Sequence, residues 1–356
     1  MRVAVVGASG VVGRSVMTQL QMAGIDALAI SRRPPDLPHT EHLSLDLLDL
    51  EVCRRASGAL EDITHVIFAA LYEKPGLIAG WREKDQMETN LLMLEQFYTV
   101  ALKQAKQLEH IAILQGTKAY GAHIRAMKIP GRERDTRVLH DNFYWLQEDY
   151  LKEHQLESNW SYSIWRPQVV IGHGAEAPMN MLAAIGAYAA FCRFDKVPFC
   201  YPGGPNNPIE ATDADLLARA ILFGLESDKA RNQIFNVTNG DVFEWRNMWP
   251  VIGATLGLTV GEDRPHLLTT FYKREQDWQK IVERYGLQPC TLRDFVGDSF
   301  HYADALFATH SDDPPPPSLV STIKLRQAGF AECIDTEDMF ANWFRKLIMM
   351  SRLPQA

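Results

Sequence analysis

At 356 residues, 46% hydrophobic and 22% charged, the chain is too long for one small core and suits a large α/β domain with an appended lobe. The net charge of −8 comes without any long Lys/Arg run, which argues against nucleic acid as a partner. No stretch reaches the roughly 20 uninterrupted apolar residues of a membrane span, and the N-terminal apolar run is too short for a signal peptide. The five scattered cysteines, without a C-x-x-C, fit reduced thiols in the cytoplasm.

In chain order, "RVAVVG" is a β-type run ending at glycine, and "GVVGRSVMTQLQMAG" follows with helical spacing. "IDALAISRR" reads as a second strand, "EHLSLDL" as a third and "THVIFAAL" (64–71) as a fourth. "LLDLEVCRRASGAL" and "DQMETNLLMLEQFYTVALKQA" are helical, and "LEHIAILQG" (108–116) is a fifth strand. After a loop, "DNFYWLQEDYLKE" (141–153) is a helix and "WSYSIWRPQVVIG" (160–172) a sixth strand. Further on, "MLAAIGAYAAFC" fits a buried helix, "ATDADLLARAILFGL" a helix capped at Thr212 or Asp213, and "NQIFNVTNG" (232–240) a strand returning to the sheet. "SDDPPPPSL" (311–319), with Asp312 and Asp313, reads as a solvated, extended loop.

Strands alternating with helices imply an α/β fold, a Rossmann-type doubly wound parallel sheet with a smaller, mostly helical C-terminal substrate lobe. The expected division is a nucleotide-binding domain of residues 1–171, rejoined by 209–240, and a substrate lobe of 172–208 and 241–356.

"GASGVVG" places Gly7, Gly10 and Gly13 in a G-x-x-G-x-x-G pattern between a strand and a helix, with Ser9 and Val11 in the same turn. Glycines there let the backbone approach a pyrophosphate, and the helix N-terminus offers unpaired N–H groups to its charge. Where NAD binders usually carry an acid, at the end of strand two, this chain has Arg32 and Arg33. Arginine suits a 2′-phosphate, so the expected cofactor is NADPH; the plainer reading is two solvated arginines on a loop. Asp46, next to Leu47 at the end of strand three, would accept from the adenine amine or cap the following helix.

Tyr144 sits on the helix of 141–153, but the fourth residue after it is Glu148, not the lysine of a Tyr-x-x-x-Lys reductase. Lys118, in "QGTKAYG", lies on the loop after the fifth strand, at the edge where open α/β sheets bind ligands. The two side chains can converge across that crevice. Glu148 then becomes an ordinary helix residue pairing with Lys152 at i+4.

The segments "GTKAY" (116–120), "NFYW" (142–145), "WRPQVVIG", "YAAFC" (188–192), "TDADLLA" (212–218), "NVTNGDVFEW" (236–245) and "AGF" (328–330) run in order over nearly the whole chain. On these the chain resembles the progesterone 5β-reductase/iridoid synthase-like family, an atypical branch of the extended short-chain dehydrogenases. The resemblance implies 1,4-reduction of the activated C=C bond of an enone or enal by NADPH, with Tyr144 and Lys118 stabilising the enolate. It also implies cofactor contacts at Ala70 and Val170. Phe330 matches an aromatic that closes the substrate pocket, although a core aromatic is an equal reading; Trp145 reads as helix packing or a substrate contact. The chain departs from the plant-type pattern in a shorter connection between Tyr120 and Asn142, lacking pocket aromatics, and in Leu71, where a tryptophan is common.

His123, His140 and His173 show no metal spacing and read as polar loop residues, so no metal is expected. Arg166 reads as structural, pairing with the C-terminal lobe. The rival functions are an extended-type carbonyl reductase or sugar-nucleotide epimerase, which expects the missing lysine, and a non-catalytic NADP(H) sensor. A homodimer follows only by analogy with related dehydrogenases.

Overall fold

The computed structural model describes residues 1–174, 177–309 and 311–355. Seven strands form one parallel sheet: β1 (Arg2–Val6), β2 (Asp26–Ser31), β3 (Glu41–Ser44), β4 (His65–Phe68), β5 (His110–Leu114), β6 (Ser161–Pro167) and, later in the chain, β9 (Gln233–Val237). Their order is β3-β2-β1-β4-β5-β6-β9, and every neighbouring pair is parallel. Two more strands, β7 (Val170–Ile171) and β8 (Thr212–Asp213), pair with each other. Strands such as "RVAVV" and "HVIF" are nearly continuous apolar runs because both faces of the sheet are covered.

The crossover helices are α1 (Val11–Met22), α2 (Leu50–Ala56), α3 (Lys84–Gln96), α4 (Phe143–Gln155), α5 (Met181–Asp195) and α6 (Ala214–Glu226). One face packs on α1 and α6 through Val16, Leu20, Leu217, Ile221, Trp165 and Phe235. The other packs on α2, α3 and α4 through Cys53, Leu94, Leu151 and Tyr162. Because the winding reverses between β1 and β4, their carboxyl ends open a crevice, and the loops after β1, β4, β5 and β6 converge there.

The C-terminal part is α7 (Trp245–Thr255), α8 (Glu275–Tyr285), α9 (Leu292–Val296), α10 (Ser299–Leu306), α11 (Ile323–Ala328) and α12 (Thr336–Met349). With α5, most of these bury an aromatic-rich core that includes Phe191, Phe199, Trp249, Trp278, Phe300 and Phe344. Asp213 caps α6 through the Leu216 N–H at 2.7 Å, and its second oxygen accepts from the Trp343 indole at 2.7 Å, fastening α12 to the sheet.

The expected sixth strand of 160–172 is split. Val169 takes a φ of 35°, a left-handed conformation unfavourable for a β-branched residue. The turn frees Val170 and Ile171 from β6 and sends them to pair with Thr212 and Asp213.

Candidate active site at the carboxyl edge of the sheet

The glycine turn is built by close packing. Gly7 has a φ of 86°, and a Cβ there would meet the Ala70 nitrogen at 2.7 Å, so the ends of β1 and β4 touch. A Cβ on Gly13 would lie 2.2 Å from the Gly7 oxygen. At Gly10 a Cβ would meet nothing nearer than 3.4 Å, and as N-cap of α1 it brings no side chain to the first N–H groups. Gly174 packs against the Val11 nitrogen, and no side chain caps this terminus, which suits a pyrophosphate. Arg14, in the first turn of α1, reaches the Asp36 carbonyl at 3.2 Å. Burial first, then the Arg14 and Arg352 charges, against Asp36, push His173 down to about 4.

Arg32 and Arg33 are exposed at the end of β2, and the Arg33 charge reaches Asp294. Asp46 is exposed and accepts the Leu48 N–H at 3.0 Å. It does not cap α2: that residue is Asp49, which accepts from Glu51 and Val52. The Leu47 side chain is buried in the core of the α2–α4 face, leaving only its backbone to the crevice.

Lys118 stands on the 3₁₀ turn Thr117–Tyr120 after β5, and Tyr144 on the first turn of α4. Asn142 joins them. Its Oδ1 accepts the Tyr144 N–H at 3.0 Å, capping the helix, while its Nδ2 donates to the Lys118 carbonyl at 3.3 Å. The Tyr144 hydroxyl lies over Gly116, 3.2 Å from where a Cβ would be. Only a glycine leaves it that room.

The Lys118 side chain is 15% exposed, and its amine packs over the Trp81 ring, 3.6 Å from its centre. It lies 3.8 Å from Glu73 Oε1, on a side chain 1% exposed. Burial pushes the lysine down to about 8, and the Glu73 charge opposes the fall. Burial raises Glu73, against the Lys118 charge. Tyr144 is held well above the usual phenol range by burial, then by Glu73 and Tyr302 of α10; Arg166 opposes. The phenol therefore stays protonated and keeps an O–H to donate.

Glu73 is aimed by α3. Asn90 exchanges two hydrogen bonds with the Tyr72 backbone, both 2.9 Å, and Gln86 accepts the Lys74 N–H at 3.0 Å. Gln86 and Asn90 are i and i+4, so one helix face pins the chain on both sides of Glu73. Glu73, Trp81 and Tyr302 escaped sequence reasoning, since nothing local marks them; the buried Gln/Asn pair at helical spacing was the one available signal.

Glu148 is not an ordinary helix residue. It is buried, and its Oε2 accepts from Gln115 Nε2 at 2.9 Å and faces Arg166 at 3.4 Å. Its Oε1 meets Lys152 at 2.6 Å, the expected i+4 pair, and Arg137 at 3.0 Å. Burial alone would raise this carboxyl, but the Lys152 and Gln115 hydrogen bonds and the Lys152 and Arg166 charges leave it lowered. Arg166 pairs with this hub, with Gln115 at 2.8 Å and with Tyr120 at 3.3 Å, rather than with the C-terminal lobe as expected. Its hydrogen bonds and ion pair go to the side of α4 and the β5 loop, and the C-terminal part feels only its charge, at Lys324.

Trp145 is buried between Arg137, 4.4 Å from its ring, and Arg166, at 5.8 Å, which is the packing reading. Phe330 packs on Phe223 at 5.9 Å in the core of the α1/α6 face, across the sheet from Tyr144, which is the core reading. Val170 is half-buried between that core and the C-terminal one. His123 and His140 lie 5.0 Å apart, and His123 is pushed down to about 4 by burial and then by the Lys118 charge. Among the described residues no group of three or more His, Cys, Asp or Glu could hold a metal ion, and no helix is long and apolar enough to cross a membrane.

Strand order and glycine turn together define a Rossmann-type, doubly wound dinucleotide-binding architecture. An epimerase from Methanothermobacter thermautotrophicus superposes with a TM-score of 0.68 at 17% identity, over 99% of this chain and 94% of its own. The UDP-glucose 4-epimerase of Thermus thermophilus, solved with NAD, gives 0.66 at 17% identity over 97% and 99%. Within that architecture, the chain belongs to the PRISE-like Rossmann-fold domain family, whose model matches residues 42–302. It is similar to the (S)-8-oxocitronellyl enol synthases of Catharanthus roseus, 26% identical over 92% of this chain and 85% of the relative, and of Antirrhinum majus, 27% identical over 96% and 90%.

Proposed function

We propose that the protein is an NADPH-dependent reductase of the activated C=C bond of small enones or enals. The observation that carries this reading is the lysine's origin. Lys118 comes from the β5 loop, tied through Asn142 to Tyr144, while the position four residues after Tyr144 holds a carboxylate engaged with Arg166. The N-terminus of α1, which no side chain caps, and the exposed Arg32 and Arg33 suit a dinucleotide bearing a 2′-phosphate.

NADPH, when bound, supplies a hydride to the substrate's β-carbon. Negative charge then gathers on the carbonyl oxygen. The Tyr144 hydroxyl donates to that oxygen, and a positioned donor of this kind is worth ~10²–10³ in rate. The Lys118 ammonium adds its charge, which a half-dry pocket screens less than water would. A phenol held this firmly protonated is suited to donating a hydrogen bond and poorly suited to taking a proton from an alcohol. The plant relatives are named as enol synthases, and an enol is what 1,4-addition to an enal leaves before tautomerisation. The helical C-terminal part, which contributes Tyr302, would close the substrate side.

The test is NADPH oxidation with 2-cyclohexen-1-one or an enal against a saturated ketone. Oxidation with the enone is expected; oxidation with the ketone alone would assign the protein to carbonyl reduction.

A further inference from the structure

Glu73 is a buried charged group that the family resemblance does not use. Its side chain is 1% exposed, and Oε2 accepts from Gln86 Nε2 at 2.6 Å. Oε1 is buried without a hydrogen bond of full geometry, 3.8 Å from Lys118 Nζ, and the Trp81 indole N–H is also turned to this carboxylate. A buried carboxylate oxygen without a donor is costly unless an opposite charge faces it, and the lysine supplies that charge. The relation is reciprocal. Trp81 covers the amine from the Ala79–Arg82 turn, His123 beyond it is pushed down to about 4 and is neutral, and Tyr144 and Tyr302 are protonated phenols. Arg166, the nearby guanidinium that reaches Tyr144, is committed to Glu148 and Gln115. Among the described residues, Glu73 is the carboxylate that holds the ammonium form.

We propose that Glu73 is a positioning residue for enone reduction: its buried carboxylate holds the Lys118 side chain in its charged form at the carboxyl edge of the sheet. This rests on reading Lys118 and Tyr144 as the catalytic pair. Glu73 touches neither substrate nor cofactor in this scheme; it acts through the lysine.

The decisive variant is Glu73→Gln, which keeps the shape and can still accept from Gln86. The Lys118 titration is followed by NMR in protein labelled with ¹³C-lysine, its signal assigned by loss in Lys118→Arg. From about 8 in the parent, the titration should fall by about one unit or more once the counter-charge is gone. The high-pH limb of kcat with 2-cyclohexen-1-one should move down with it, at unchanged KM for NADPH. Glu73→Asp, which retains a carboxylate and guards against a misfolded Gln variant, should keep the limb near its parental place. In the Glu73→Gln, Lys118→Arg double variant the limb should vanish, because arginine does not lose its charge. An unmoved Lys118 titration in Glu73→Gln overturns the proposal, as does a moved titration with an unmoved limb. A parent enzyme that oxidises no NADPH with any enone brings down the proposed function instead, and the NMR titration still decides whether Glu73 sets the lysine's charge.

Discussion

Glu148 and Arg166 face each other at 3.4 Å, both buried, across the junction of α4 and β6. The pair sits where a Tyr-x-x-x-Lys enzyme keeps its lysine, so this site cannot regain that arrangement by one substitution. Glu148→Lys would set an ammonium among Arg166, Arg137 and Lys152, and strip the first of its carboxylate partner. The expected loss is about 3–5 kcal/mol of stability, with loss of activity. Urea denaturation checks it, and Glu148→Gln, which can still accept from Gln115, should lose less.

Gly116 gives the Tyr144 hydroxyl its place. A methyl group there would meet the oxygen at 3.2 Å, tight enough to push the ring aside by a few tenths of an ångström. Gly116→Ala should lower turnover about tenfold with little change in NADPH affinity. Tyr144→Phe, which removes the donor altogether, should cost ~10²–10³ in kcat. Steady-state kinetics with saturating enone, alongside NADPH binding by fluorescence, measures both. Unchanged turnover in Tyr144→Phe would remove the phenol from the mechanism.

Arg32 and Arg33 stand exposed at the end of β2. Replacing both by alanine should reduce the ratio of kcat/KM for NADPH over NADH by about tenfold or more, the worth of a charge-assisted hydrogen bond. Equal loss with the two cofactors would mean that neither arginine reads the 2′-phosphate.

His110, at the start of β5, bridges the Ser161 and Ser163 hydroxyls at 2.8 Å each. Burial, then the charges of His65 and Arg231, pushes it from 6.5 down to about 3. The unfolded chain takes up the proton first, so this group's contribution is complete above about 6.5 and is lost as pH falls towards 3. The expected slope is about 1.4 kcal/mol per pH unit within that window. Urea midpoints from pH 7 to pH 4 should fall less steeply in His110→Gln than in the parent.

The alternation of apolar runs with amphipathic spacing was enough to place all seven strands of the main sheet and the helices between them, because period and burial are written locally. Boundaries moved at single residues: the Asp49 side chain starts α2, and the left-handed backbone at Val169 breaks the sixth strand. Trp145 and Phe330 show the limit of local reading. An aromatic looks the same in a sequence whether it faces a ligand or a core; the fold buries both against other side chains of the chain.

By itself, the sequence determined the Rossmann architecture, the glycine turn, the two arginines after β2, and the candidacy of Lys118 and Tyr144. These rest on spacing along one chain, or on motifs a few residues long. Only the tertiary structure decided what surrounds them. Glu73 reaches Lys118 because α3 pins its flanks, Tyr302 arrives from the far end of the chain, and Glu148 turns inward to Arg166. Charge states belong to that second group, since burial and the distance to an opposite charge set them, and neither exists until the chain has folded.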